Sequence, residues 1–161
     1  LSGIVPRTDL KGGAVFHAGP IVKKVGDKWE MVSIGPTTSM RMEKFEKEFM
    51  EITGAKLIIG KGGMGEKTVR GCVENKAVHA VFPGGCAVVA AAEVLEITDA
   101  EWLDLGMPEA FWVMEVKEFG PLIISIDTEG NNLFENNKEI YKESMEKEMA
   151  ELSKKLKYMN Y

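Results

Sequence analysis

The chain has 161 residues, 45% of them hydrophobic and 28% charged, with a formal net charge of −5. That size suits one domain spanning residues 1–161, able to bury about two-thirds of its unfolded surface, and the acidic balance argues against non-specific nucleic-acid binding. No apolar run approaches the ~20 residues of a membrane span, no charged-then-apolar start resembles a signal peptide, and two cysteines, Cys72 and Cys86, suit a reducing cytoplasm and fall short of the four ligands of a structural zinc or an iron–sulfur cluster.

The chain begins at Leu1 rather than methionine, so residues before it are expected to be lost or uncounted. Residues 1–28 hold short apolar pieces broken by glycine and proline, which read as β-hairpin material. "WEMVSI" (29–34) is the first clear strand, with Trp29, Met31 and Ser33 on one face. A helix is expected next. Met42, Phe45, Phe49 and Ile52 recur at three- and four-residue spacing as its apolar stripe, and Gly54 stands where a C′ glycine ends it. Arg41 then falls in the first turn, where the helix dipole disfavours a cation.

"AKLIIG" (55–60) is uninterrupted and apolar, as a buried parallel strand is. "GKGGMG" turns the chain, "EKTVRGCVEN" reads as a short helix, "AVHAVF" (77–82) as a third strand, and "CAVVAAAEVL" as a small-residue helix. Three strand–turn–helix units in a row imply parallel strands with right-handed crossovers. "FWVMEVKEF" and "LIISIDTEGN" add two β segments around a Gly120–Pro121 break. An amphipathic helix is expected over 136–161, with Asn136 and Glu139 as a capping-box variant and Ile140, Met145, Met149, Leu152 and Leu156 along one edge.

Ligands of parallel α/β sheets bind beyond the carboxyl ends of the strands. Three loops leave such ends: "GPTTSMR" (35–41), "GKGGMG" (60–65) and "FPGGCA" (82–87). The first offers the hydroxyls of Thr37, Thr38 and Ser39, unpaired amides that attract anions, and the planar fork of Arg41, which matches a carboxylate. The alternative is that Thr38 caps the helix and Arg41 points to solvent. The second resembles a Walker loop only in spacing: Gly60 and Gly65 are correctly separated, but Glu66 stands where the lysine belongs, and an acid facing phosphate is repulsive. Either Lys61 and its neighbouring amides meet a smaller anion, or the glycines only permit positive φ. His17 and His79 are separate, without an acid-rich cluster, and read as packed histidines rather than metal ligands. The residues thus describe an α/β domain with a cationic, hydroxyl-rich crevice for a small carboxylate and no complete catalytic apparatus.

"FHAGPIVKK", "GDKWEMVSIGPTTSMRM", "GKGGMG", "HAVFPGGCA" and "DLGMPEAFWVMEVKEFGPLIISIDTEGNNLF" resemble the β subunit of the iron–sulfur hydro-lyases, the class I fumarases and L(+)-tartrate dehydratases. The resemblance covers almost all of the chain except the last helix. It implies a swivelling β/β/α fold, with a parallel strand–helix core and flanking β segments. It also implies an α-type partner subunit, or a fused domain, that carries a 4Fe-4S cluster with one iron open to substrate, so that this chain needs no metal ligands of its own. The reaction it implies adds or removes water on a four-carbon dicarboxylate: fumarate/malate, or alternatively L-tartrate to oxaloacetate. By position in the motif, Thr37 corresponds to a candidate base, Arg41 to a carboxylate-binding arginine and Lys61 to a substrate-reaching lysine, with the amides around Gly35 and Gly62 as supplements.

One departure matters. The family carries an R-D-x-x-H segment near its N-terminus, and "LSGIVPRTDLKGG" lacks it, so no substrate role passes to Arg7. A segment missing between Val5 and Pro6 is the expected reason. The resemblance implies a hetero-oligomer, with a homodimer of β chains as a further arrangement. The competing class is a non-catalytic carboxylate-binding module.

Overall fold

The computed structural model describes residues 5–155. Its order is β1 (Ala14–Phe16), β2 (Ala18–Val25), β3 (Lys28–Pro36), α1 (Glu43–Thr53), β4 (Leu57–Gly60), α2 (Glu66–Asn75), β5 (Val78–Val81), α3 (Ala87–Ala92), β6 (Val94–Glu101), β7 (Phe111–Val116), β8 (Ile123–Ile126) and α4 (Leu133–Lys155). The fold is α/β. A four-stranded sheet runs β1-β4-β5-β8, in which β1, β4 and β5 are parallel and β8 is antiparallel. Two antiparallel hairpins, β2–β3 and β6–β7, flank it.

Strand β4 shows why the sheet sits where it does. Successive side chains of a strand point to opposite faces. Ile58 enters a core with Met50 of α1 and Cys72 of α2, and Ile59 enters a second core with Ile34 of β3 and Phe82. Both faces are covered, so an unbroken apolar run is what this strand requires. The hairpins share a third core around Val22, Ile97 and Trp112, where Trp29 meets Trp112 edge-on with ring centroids 5.3 Å apart.

Several expectations are corrected. The strand at 29–34 does not open a parallel strand–turn–helix unit. The Gly26–Asp27 turn, with Gly26 at φ +62°, reverses the chain so that β3 pairs antiparallel with β2, and β1 is the parallel partner of β4. The stripe of Met42, Phe45, Phe49 and Ile52 is not the buried face of α1. Met42, Phe45 and Ile52 are 38%, 44% and 52% exposed, while Glu46 and Met50 are 2% and 0% exposed. The phase differs because residues Ser39–Met42 form a separate 3-10 turn and α1 starts only at Glu43. Arg41 therefore lies before the α-helix, whose first turn carries Glu43 and Glu46, as its dipole favours. Gly54 does close α1 in the left-handed region.

The helix at 86–95 stops at Ala92, and Val94–Glu101 is a strand. Irregularities in its pairing with β7 between Val94 and Glu96 and between Ile97 and Asp99 erase the two-residue alternation that marks a strand. The last helix starts at Leu133, not near Asn136. The Asn132 side-chain oxygen accepts the amides of Phe134 at 3.1 Å and Glu135 at 3.4 Å, so the N-x-x-E signal lies at 132–135. Ile140, Met145, Met149 and Leu152 are all exposed. Leu156 and the rest of the expected helix to 161 lie outside the described residues.

Candidate functional site

The site grows from the carboxyl end of β4. Gly60 passes into Lys61, and Lys61 forms a parallel bridge with Thr38 of the first loop. Ser39 seals that bridge: its amide donates to the Lys61 carbonyl and its hydroxyl accepts the Lys61 amide, each at 3.1 Å. A Cβ at Gly60 would fall 1.7 Å from Ser39 Oγ, so the approach of the two loops requires glycine there. On the other side, Phe82 donates its amide to the Gly60 carbonyl at 2.9 Å. Gly35 and Ala87 face each other so closely that a Cβ on Gly35 would sit 3.2 Å from that of Ala87. All three loops thus meet at one edge of the sheet.

Within this edge Arg41 donates from Nη2 to Thr37 Oγ1 at 3.1 Å. Arg41 and Lys61 are exposed and Thr37 is half-buried. Neither cation enters an ion pair with a carboxylate among the described residues. Thr38 makes no capping bond. Gly62 has φ +79° and open space around its Cβ position, so conformation rather than crowding calls for glycine. Arg7 lies elsewhere, paired with Asp99 at 3.3 Å and Glu101 at 3.5 Å on β6.

The glycine-rich loop is pinned by Glu43, which sequence reasoning did not single out. Its carboxylate accepts the amides of Gly65 at 2.8 Å and Lys67 at 2.9 Å and the hydroxyl of Thr68 at 2.6 Å. The α2 N-terminus has no side-chain cap of its own at Gly65. An acid from α1 therefore satisfies its orphan amides and meets the positive end of its dipole. An acid in a first helical turn has an ordinary local explanation, so nothing in the sequence marked this second duty.

His17, read from the sequence as a packed histidine, pairs with Glu46, which the sequence did not mark. His17 lies half-buried between β1 and β2, its ring Nε2 3.2 Å from Glu46 Oε2 and its Nδ1 3.1 Å from Ser39 Oγ. His79 is a packed histidine. It is fully buried on β5, with Nδ1 2.6 Å from Ser125 Oγ, and burial pushes its pKa down to about 4, with the nearby His17 adding to the shift.

Chemically, the edge offers a planar guanidinium fork, an ammonium and a hydroxyl already polarised by the fork. Such a set can receive a small carboxylate and hold its charge.

The model of the Fumarase C-terminus family matches residues 3–137. The chain belongs to that family. The match includes Thr37, Arg41, Lys61 and Glu43 and ends within the first turns of α4. Among similar proteins of this family, the Escherichia coli (strain K12) L(+)-tartrate dehydratase subunit beta is 60% identical over 94% of this chain and 75% of its own length. A protein of Methanocaldococcus jannaschii that carries the same name provisionally is 47% identical over 83% of this chain and 69% of its own. A protein of Geobacillus stearothermophilus, provisionally named a class I fumarate hydratase, is 36% identical over 86% of this chain but only 26% of its own.

The donor set of the chain does not fit a four-iron four-sulfur cluster, which is held by cysteine thiolates. Of the two cysteines, Cys72 is buried with its thiol pushed up to about 12, first by that burial. No group of three metal-type side chains gathers among the described residues. Nor is any helix among them long and apolar enough to cross a membrane.

Proposed function

We propose that this chain is the β subunit of a hydro-lyase of the L(+)-tartrate dehydratase type, one domain that supplies the carboxylate-binding half of an active site in the cytoplasm. Its α-type partner supplies the other half and carries the iron–sulfur cluster. The observation that carries the reading is the meeting of Thr37, Arg41 and Lys61 at one sheet edge, with Arg41 bonded to Thr37. The 60% identity to a named tartrate dehydratase subunit over 94% of the chain supports L-tartrate as the substrate.

In this reading Arg41 grips one carboxylate of the substrate bidentately and Lys61 meets the other as a point charge. The amides around Gly35 and Gly62 supplement them. Taking a proton from the carbon next to a carboxylate spreads negative charge onto its oxygens, and fixed cations there stabilise the transition state. Thr37 takes that proton. A threonine hydroxyl is a weak base in water, and the Arg41 guanidinium beside its oxygen favours the anionic form.

The fumarate/malate reaction is the second reading, favoured by the 36% identity to the Geobacillus stearothermophilus protein. Anaerobic mixing of this chain with its cluster-bearing partner, with L-tartrate and fumarate assayed side by side, tests both. Turnover of L-tartrate in the mixture and in neither chain alone is the expected result. Tight dicarboxylate binding by the isolated chain, with no activity in the mixture, would make it a binding module instead.

A further inference from the structure

We propose that His17 is a positioning residue that sets the spacing of Thr37 from Lys61, acting through Ser39. Four contacts converge on it. Its amide donates to the Ile59 carbonyl and its carbonyl accepts the Thr37 amide, each at 2.7 Å. Its ring Nδ1 lies 3.1 Å from Ser39 Oγ, and its Nε2 lies 3.2 Å from Glu46 Oε2. One residue is thereby bonded to the Thr37 loop through its backbone and, through Ser39, to the amide of Lys61.

The proton directions along this path follow from donor and acceptor chemistry. The Lys61 N–H can only donate, so Ser39 Oγ accepts it. Ser39 is fully buried, and its own hydroxyl hydrogen needs an acceptor. His17 Nδ1 is that acceptor, so it carries no hydrogen. The imidazole is therefore the neutral Nε2–H tautomer, donating to Glu46, and Glu46 fixes the ring's orientation as carboxylates do for histidines elsewhere. The path has no slack. A Cβ at Gly60 would lie 1.7 Å from Ser39 Oγ and 3.2 Å from His17 Nδ1.

The consequence for the reaction rests on the function proposed above. Arg41 and Lys61 end in long side chains that can follow a carboxylate when their backbones shift. The Thr37 hydroxyl sits one bond from its Cβ and cannot. Loss of the path should therefore lower kcat more than it raises KM, because misplacement by about 1 Å can cost up to a hundredfold in rate.

The test uses the full chain and the reconstituted complex. Nitrogen-15 spectra of the histidine rings at neutral pH should show His17 as the neutral Nε2–H form, and an Nδ1–H form or an imidazolium would overturn the proposal. In Ser39→Ala the Lys61 amide should exchange with solvent about tenfold faster or more, and an unchanged rate would equally overturn it. In the complex, Ser39→Ala and His17→Gln, which lacks an acceptor at the Nδ1 position, should lose about tenfold or more in kcat with KM within about threefold. His17→Asn, whose amide oxygen can stand at that position, should retain most of kcat. Arg41→Ala serves as the control. If it abolishes turnover while Ser39→Ala and His17→Gln turn over normally, the positioning role fails and the proposed function stands. If Arg41→Ala leaves turnover intact, the proposed function fails, and the ring spectra and amide exchange alone decide the role of His17.

Discussion

Arg41 reaches back four residues to hold the hydroxyl oxygen of Thr37 at 3.1 Å. A cation that the sequence places awkwardly at a helix start in fact occupies a 3-10 turn before the helix, facing the loop rather than the helix dipole. In the proposed hydro-lyase this pair links substrate grip to proton removal. Arg41→Ala should lower kcat/KM of the complex by about a hundredfold or more, or ~3 kcal/mol of transition-state stabilisation. Arg41→Lys should recover only part, because an ammonium lacks the planar fork. Thr37→Ser should retain most of kcat and Thr37→Val should lose it. Steady-state kinetics on the four variants separates the contributions.

Glu43 tethers the glycine-rich loop from a different helix, and its removal should be felt in stability before activity. Glu43→Gln loses charge-assisted bonds from three amides and a hydroxyl at the α2 N-terminus. We expect a loss of about 1–3 kcal/mol. Gly65→Ala should act in the same direction, since its Cβ would lie 2.7 Å from Glu43 Oε1. Urea unfolding of both variants against the parent chain checks this, with an unchanged midpoint for Glu43→Gln as the contrary result.

His79 gives the fold a defined acid sensitivity. Its pKa falls from 6.5 to about 4 in the folded chain, mainly through burial, and its Nε2 meets no hydrogen-bond partner among the described residues. As pH drops below 6.5, the unfolded chain takes up this proton and the folded chain does not. The stabilisation is complete above 6.5 and is lost progressively as pH falls towards 4, by up to about 3 kcal/mol. Thermal unfolding of the parent chain and of His79→Asn across that window isolates the contribution from that of the carboxylates. The parent should show the steeper acid decline, and equal slopes would contradict the assignment.

The elements that could be read in the sequence are those in which local and tertiary signals agree. α2 lies at Glu66–Asn75 as its string suggests, and β4 and β5 fall within the apolar runs "AKLIIG" and "AVHAVF". Gly54 closes α1 because only the left-handed region fits there. The misreadings arose where tertiary contacts reverse a local signal. Glu46 turns inward to His17 while Phe45 faces out, so hydrophobic periodicity pointed to the wrong face of α1. In β6 the pairing irregularities hid the alternation. At the candidate site, Thr37, Arg41 and Lys61 stood out as hydroxyls and charges at strand ends, beside the alternatives of a capped helix and a plain glycine turn, and the family resemblance supplied the roles proposed for them. The supporting contacts of Ser39, Glu43 and His17 were not legible, because each residue also has an ordinary local role and its partners lie more than twenty residues away.

In the proposed enzyme, three loops of this chain form half of a dicarboxylate site completed by a cluster-bearing partner. Anaerobic reconstitution with that partner, followed by direct assay of L-tartrate dehydration with the parent chain and with Arg41→Ala, tests it most directly. Oxaloacetate should form only in the mixture containing the parent chain, with Arg41→Ala reducing the rate about a hundredfold or more. Undiminished turnover with Arg41→Ala, or activity of the partner without this chain, would contradict it.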